Sequence, residues 1–130
     1  YFAKNVKFVS PENAFEELLK VKDFREMILI ECQKDCPAGL LMSDINILKF
    51  ESQLIEIKTK TSQGQWLIYS DANLPTWEAY IDNQQIPIYT ANYLFKAVFV
   101  PKGEHEIIFK YPGLWGQDFH ALKSLLEWNN

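Results

Sequence analysis

The chain has 130 residues, 48% of them hydrophobic, with a formal net charge of −4. That length suits one soluble domain of about 14 Å radius of gyration, which removes roughly two-thirds of its unfolded surface from water and requires no disulfide or metal to do so. Seventeen acidic residues outnumber thirteen basic ones, and Arg25 is the single arginine, which excludes a phosphate-backbone partner, so no nucleic acid is expected.

Residues 1–9 read as a strand, with Phe2, Val6 and Phe8 among alternating partners. A helix start follows, in which Ser10 is placed to cap, Pro11 fits the first helical position and Glu12 suits the positive end of the dipole. Ala14, Phe15, Leu18 and Leu19 recur at helical spacing and predict one apolar face running to Val21. Residues 27–30 are a short buried strand. Beyond it Cys32 and Cys36 lie four apart, where a local disulfide and two free thiols are both compatible with the spacing. A zinc site would need further ligands, yet His105 and His120 are the only histidines and lack ligand spacing, so no metal and no cofactor are expected.

From there the period is two. Residues 45–50 and 54–60 predict an antiparallel pair with Ile55 and Ile57 inward and Glu56, Lys58 and Lys60 outward. Ser62, Gln63 and Gly64 turn the chain into a strand over 66–70. Residues 77–81 follow, and Asp82-Asn83 tolerates positive φ and suits a tight hairpin. Residues 86–89 continue it, with Pro87 confining that strand to an edge or bulge. Residues 94–100 and 105–111 predict a last hairpin across Pro101, Lys102 and Gly103. A tail over 117–128, with Phe119, Leu122, Leu125 and Leu126 on one side, is a candidate helix. Together these predict a mainly β protein: one domain over 1–130, an antiparallel β-sandwich of jelly-roll or carbohydrate-binding-module type, with one N-terminal helix and a candidate C-terminal one. Trp66, Trp77, Phe109 and one of Phe95 and Phe99 are expected inward, between the two sheets.

No glycine-rich phosphate loop and no nucleophile elbow occurs. His105 needs a carboxylate within reach to act as a base, and Glu104 and Glu106 are neighbours in sequence only. Asp71 and Asn73 are expected to bond nearby backbone amides and hold their loop together. Trp77 is in phase with Ala79 and Ile81 and reads as core, whereas Tyr80 shares the opposite face with Glu78 and Asp82, where a ring beside carboxylates can stack on a sugar. Fifteen per cent aromatic residues exceed what a core this size needs, which leaves Tyr80, Tyr89, Tyr93 and Trp115 as stacking surfaces.

The segment from Asp71 onward resembles the C-terminal extracytoplasmic region of YfhO-like bacterial membrane proteins. Carrying the resemblance are Asp71, Pro75, Trp77, Ala79, Asp82, Pro87, Ala91, Asn92, Phe95, Ala97, Val98, Pro101, Gly103, His105, Phe109 and Tyr111. Earlier residues, including Phe15, Leu18, Asp23, Phe24, Ile30 and Glu31, fit as well, so the likeness spans 1–112. Thr76 and Asn83 stand where the pattern has glycine; Asn83 still permits a left-handed turn, while Thr76 opposes positive φ. Tyr1 is not a methionine, and the chain is expected to be a piece of a larger polytopic membrane protein. The resemblance implies a non-catalytic accessory domain outside the cytoplasmic membrane, belonging to a protein similar to polyprenyl-phosphate-sugar glycosyltransferases that decorate cell-surface polymers. Its implied partners are the membrane portion of its own parent and a glycan or surface polymer. Asp71, Tyr80, Asp82, Tyr89, Asn92, Tyr93 and His105 are then the candidate binding residues, and Pro75, Trp77 and Gly103 structural ones.

Overall fold

Segments that alternate apolar and polar side chains leave their backbone amides and carbonyls to be satisfied by neighbouring strands. A computed structural model describes residues 5–41 and 45–112; the candidate tail helix, Trp115 and Phe2 lie outside them. In chain order the elements are β1 (Asn5–Val9), α1 (Ala14–Lys20), β2 (Met27–Glu31), β3 (Leu40–Leu41), β4 (Ile45–Glu51), β5 (Leu54–Thr61), β6 (Gln65–Ala72), β7 (Glu78–Ile81), β8 (Gln84–Ile86), β9 (Tyr89–Ala91), β10 (Phe95–Val100) and β11 (Gly103–Lys110). They form a six-stranded sheet, β1-β2-β9-β10-β6-β3, and a five-stranded sheet, β4-β5-β11-β7-β8. The mainly β, two-sheet expectation holds. Pairing is antiparallel except for β1 with β2, where α1 returns the chain, and β3 with β6.

The sheets meet through Ile55, Ile57, Leu67, Val98, Val100, Ile107 and Phe109, with Trp77 and Ala79. Ile55 and Ile57 point inward as the alternation requires, and each fully buried side chain of this size contributes about 1.5–3 kcal/mol. Trp77 and Phe109 are in this layer, but Trp66, Phe95 and Phe99 are not. They pack with Phe8, Ile28, Ile30 and Tyr89 on the opposite face of the six-stranded sheet. Trp66 is fully buried there because the segment after β2 covers it, with indole Nε1–H donating to the Pro37 carbonyl at 3.0 Å. The Cys32–Cys36 pair is a disulfide at the base of that segment. Phe99 lies over Gly64, where an added Cβ would come within 2.3 Å of the ring.

Four local expectations are corrected. α1 begins at Ala14, not Pro11; Ser10 and Pro11 instead accept from the backbone of Asn13 and Ala14 in a preceding turn, and the N-cap is Asn13 without a side-chain bond. Its buried stripe is Ala14, Leu18 and Val21 against Leu29 and Met27, so Phe15 and Leu19 are exposed: a two-turn helix lying on one strand covers only a narrow strip. Residues 86–89 are not one strand, because Pro87 and Ile88 carry the chain from β8, the edge of the five-stranded sheet, to β9 in the other sheet. Residues 94–100 and 105–111 are not a hairpin either. β10 pairs with β6 and β9, and β11 pairs with β5 and β7, so the turn at Gly103, with φ +113, is a passage between sheets.

Candidate functional site

The region of highest chemical content starts from one residue in a strand. β10 places Lys96 in phase with Val98 and Val100, on the face between the sheets, and its side chain has no exposed surface. Burying an ammonium is costly without partners. Its Nζ donates to the Ala72 carbonyl at 2.8 Å, stands 3.6 Å from Asp71 Oδ2, and sits over the rings of Trp77 at 4.0 Å and Tyr69 at 4.4 Å. Asp71 reaches it through a bulge: the β6–β10 register jumps from Phe95–Ala72 to Lys96–Tyr69, which re-aims the extra residues. Burial drives the Lys96 pKa down to about 8, with Asp71 opposing. Burial, and then Asp71, pushes the Tyr69 hydroxyl up.

Asp71 holds the loop that follows as expected, whereas the side chain of Asn73 bonds a hydroxyl on β9 and not a nearby amide. Asp71 Oδ1 accepts from the Ala72 amide at 2.8 Å, Asn73 Nδ2 donates to Thr90 Oγ1 at 3.0 Å, and the Asn73 amide donates to the Leu94 carbonyl. Thr76 avoids positive φ, and its Oγ1 is buried without a hydrogen-bond partner. Beside this loop an open cleft of about 440 Å³ runs past Asn73, Pro75, Trp77 and Glu78 to Gln85 and Ile86.

Asp82 and His105 form a second constellation. Asp82 and Asn83 adopt φ of 48° and 67°, the turn expected of them. Asp82 Oδ1 accepts from the Glu106 amide at 2.9 Å, and Oδ2 lies 2.7 Å from His105 Nδ1. His105 Nε2 lies 3.0 Å from the Lys102 carbonyl. Both ring nitrogens face acceptors, so the doubly protonated imidazolium satisfies both and leaves no lone pair to take a proton. Asp82 raises the His105 pKa; the Glu106 amide, then His105, lowers that of Asp82. The carboxylate that partners His105 comes from the β7–β8 turn, not from Glu104 or Glu106.

The other candidates stand separately. Tyr80, on the outer face of the five-stranded sheet, donates to Glu78 Oε2 at 2.6 Å and is paired across the hairpin with Gln85. Tyr89 is half-buried, edge-on to Trp66 at 5.1 Å. Asn92, at φ 48°, exchanges two bonds with Leu29: its amide donates to the Leu29 carbonyl at 2.7 Å, and its Oδ1 accepts from the Leu29 amide at 2.9 Å. Tyr93 is exposed, its ring 5.4 Å from Phe15. Lys96 and Tyr69 escaped sequence reasoning, although a lysine in phase with two inward valines is a readable signal.

A family model described as bacterial membrane protein YfhO matches residues 38–114. No curated protein and no solved structure matches the chain.

Proposed function

This chain belongs to the YfhO family of bacterial membrane proteins, and from that membership we propose that it is a non-catalytic accessory domain, on the outer side of the cytoplasmic membrane, of a parent that glycosylates cell-surface polymers. The observation that supports an accessory role most directly is how the residues that carry the resemblance are used. Asp82 with His105, Asn92 with Leu29, and Asp71 with Trp77 around Lys96 each fasten one element to another. Its partners are the membrane portion of its parent and the polymer acceptor. No helix among the described residues is long and apolar enough to cross a membrane. On this reading the chemistry belongs to other segments of the parent. The test is an in-frame deletion of this segment from the parent gene in the cell, followed by composition analysis of extracted surface polymer. Sugar decoration falls to the level of the full gene deletion and returns with the segment. Unchanged decoration, or sugar transfer by the isolated chain, overturns the reading.

A second reading, direct saccharide binding, draws support from the cleft and from half-buried Glu78 and Tyr80 lying with Gln85 on the outer face of the five-stranded sheet. A glycan array probed with the chain and with Tyr80→Ala decides it: retention lost in the variant supports binding there, and no retention by either refutes it.

A further inference from the structure

The sandwich is open along one flank. β4 is an edge strand, and its register with β5 sets Ile45 opposite Thr59, Ile47 opposite Ile57 and Phe50 opposite Ile55. Residues opposite each other in an antiparallel pair share a face, and Ile55, Ile57 and Thr59 lie in phase on the inward face of β5, all buried. Ile45, Ile47 and Phe50 therefore point toward the layer between the sheets, yet they are 40%, 51% and 67% exposed. The six-stranded sheet ends too soon to cover them. Its edge strand on this side, β3, spans just Leu40–Leu41 beside Gln65 and Trp66 of β6, and among the described residues no strand continues it. Leu40, in register with Gln65 and so in phase with inward Leu67, is exposed as well. Residues 42–44 join β3 to β4, which puts these four apolar side chains at one opening between the layers.

We propose that residues 113–130 turn back along this flank and close it, with Phe119, Leu122, Leu125 and Leu126 laid on Ile45, Ile47, Phe50 and Leu40. The place where the described chain ends favours this occupant. The Tyr111 amide donates to the Gln53 carbonyl in the β4–β5 turn, and Phe109, Ile55 and Phe50 form one row across β11, β5 and β4. The tail thus starts two strand spacings, about 10 Å, from Phe50. Residues 113–116 can span about 13 Å, enough to cross that distance. A helix over 117–128 is about 18 Å long, and the row from Phe50 back to Ile45 runs about 16 Å, so the apolar side of the one matches the length of the other. A second copy pairing along β4 is disfavoured by the edge itself: the register slips between Ile47 and Lys49, and a bulge there bends the strand away from a straight partner. The uncovered side chains also point between the layers, where an element inserted from the side reaches them and a sheet extended from the edge does not.

The experiment puts the photo-cross-linking residue p-benzoylphenylalanine into the 130-residue chain in place of Ile47 or, on the outer face opposite Asn46, in place of Lys58, with folding checked by circular dichroism. An equal mixture of unlabelled and isotopically labelled chain is irradiated, and cross-linked peptides are identified by mass spectrometry, which separates coupling within a chain from coupling between chains. Position 47 couples to residues 117–128 of its own chain at about threefold or more the yield of position 58, and adding Leu122→Glu lowers that yield by a similar factor. Coupling of position 47 to another chain, equal yields at 47 and 58, a yield untouched by Leu122→Glu, or no coupling to 117–128 overturns the assignment.

Discussion

Replacing Lys96 by methionine removes a buried charge while keeping a flexible chain of similar length. The ammonium has no solvent exposure, and burial draws its pKa from the ordinary 10.5 to about 8. One pKa unit is worth about 1.4 kcal/mol, so holding the charged form inside the fold costs about 3 kcal/mol relative to the unfolded chain. The sign follows from which state binds the proton. Below pH 8 folded and unfolded chains are both protonated and the cost is present in full; between pH 8 and 10.5 the folded lysine is neutral while the unfolded one still holds its proton, so stability rises with pH. Lys96→Met has no such dependence. The stability of the native chain minus that of Lys96→Met therefore increases by about 3 kcal/mol between pH 7 and pH 10.5. Groups common to both proteins, such as Tyr69, cancel to first order in this difference. Urea titrations followed by tryptophan fluorescence at fixed ionic strength measure it. A flat difference would mean that the ammonium is hydrated in the folded chain; a falling one would mean that Asp71 and the two rings outweigh burial. Either refutes the reasoning.

Further expectations concern the fasteners. The His105 contribution is complete below its ordinary 6.5 and is lost as pH rises through the raised folded value; that of Asp82 is complete above 3.8 and is lost as pH falls through its lowered value. Their clasp is thus strongest between those limits, and Asp82→Asn moves the His105 midpoint down, as read from its ring-proton shifts in nuclear magnetic resonance. Asn92→Gly keeps the left-handed turn but leaves the Leu29 amide without its acceptor, lowering unfolding free energy by about 1–3 kcal/mol; Asn92→Ala adds about 1 kcal/mol of backbone strain. Gly64→Ala drives a methyl into Phe99 and costs about 1–3 kcal/mol, and Phe99→Leu in the same chain recovers part of it. Trp77→Ala lowers unfolding free energy by about 3–5 kcal/mol; a well-folded, equally stable Trp77→Ala would contradict its place in the core.

The legible parts of this molecule were those with a local physical cause. Positive φ at Asp82 and Asn83 follows from side chains that tolerate it, and the inward course of Ile55 and Ile57 follows from alternation alone. Of the candidate site, the bond of Asp71 to a neighbouring amide was legible, but the bond of Asn73 to Thr90, 17 residues later, was not. Nothing in the neighbourhood of His105 points to Asp82, 23 residues earlier in the chain; the two meet because β7 and β11 pair. Ser10 and Pro11 carry helix-start chemistry, yet the helix waits until Ala14, where packing on β2 begins.

By itself the sequence determined that the chain would be mainly β, where many of its turns would come, and which family it resembles, because each of these depends on residue type and short spacing. The tertiary structure alone decided which sheet each strand joins and which face of that sheet becomes the core. A period of two states that a side of a strand is buried without saying against what. A proline-glycine turn reverses the chain whether or not the strands on either side bond to each other. So Trp66 lies beneath the disulfide segment and not between the sheets, β10 and β11 part at Gly103, and Lys96, a surface residue by composition, is enclosed by Trp77, Tyr69 and Asp71.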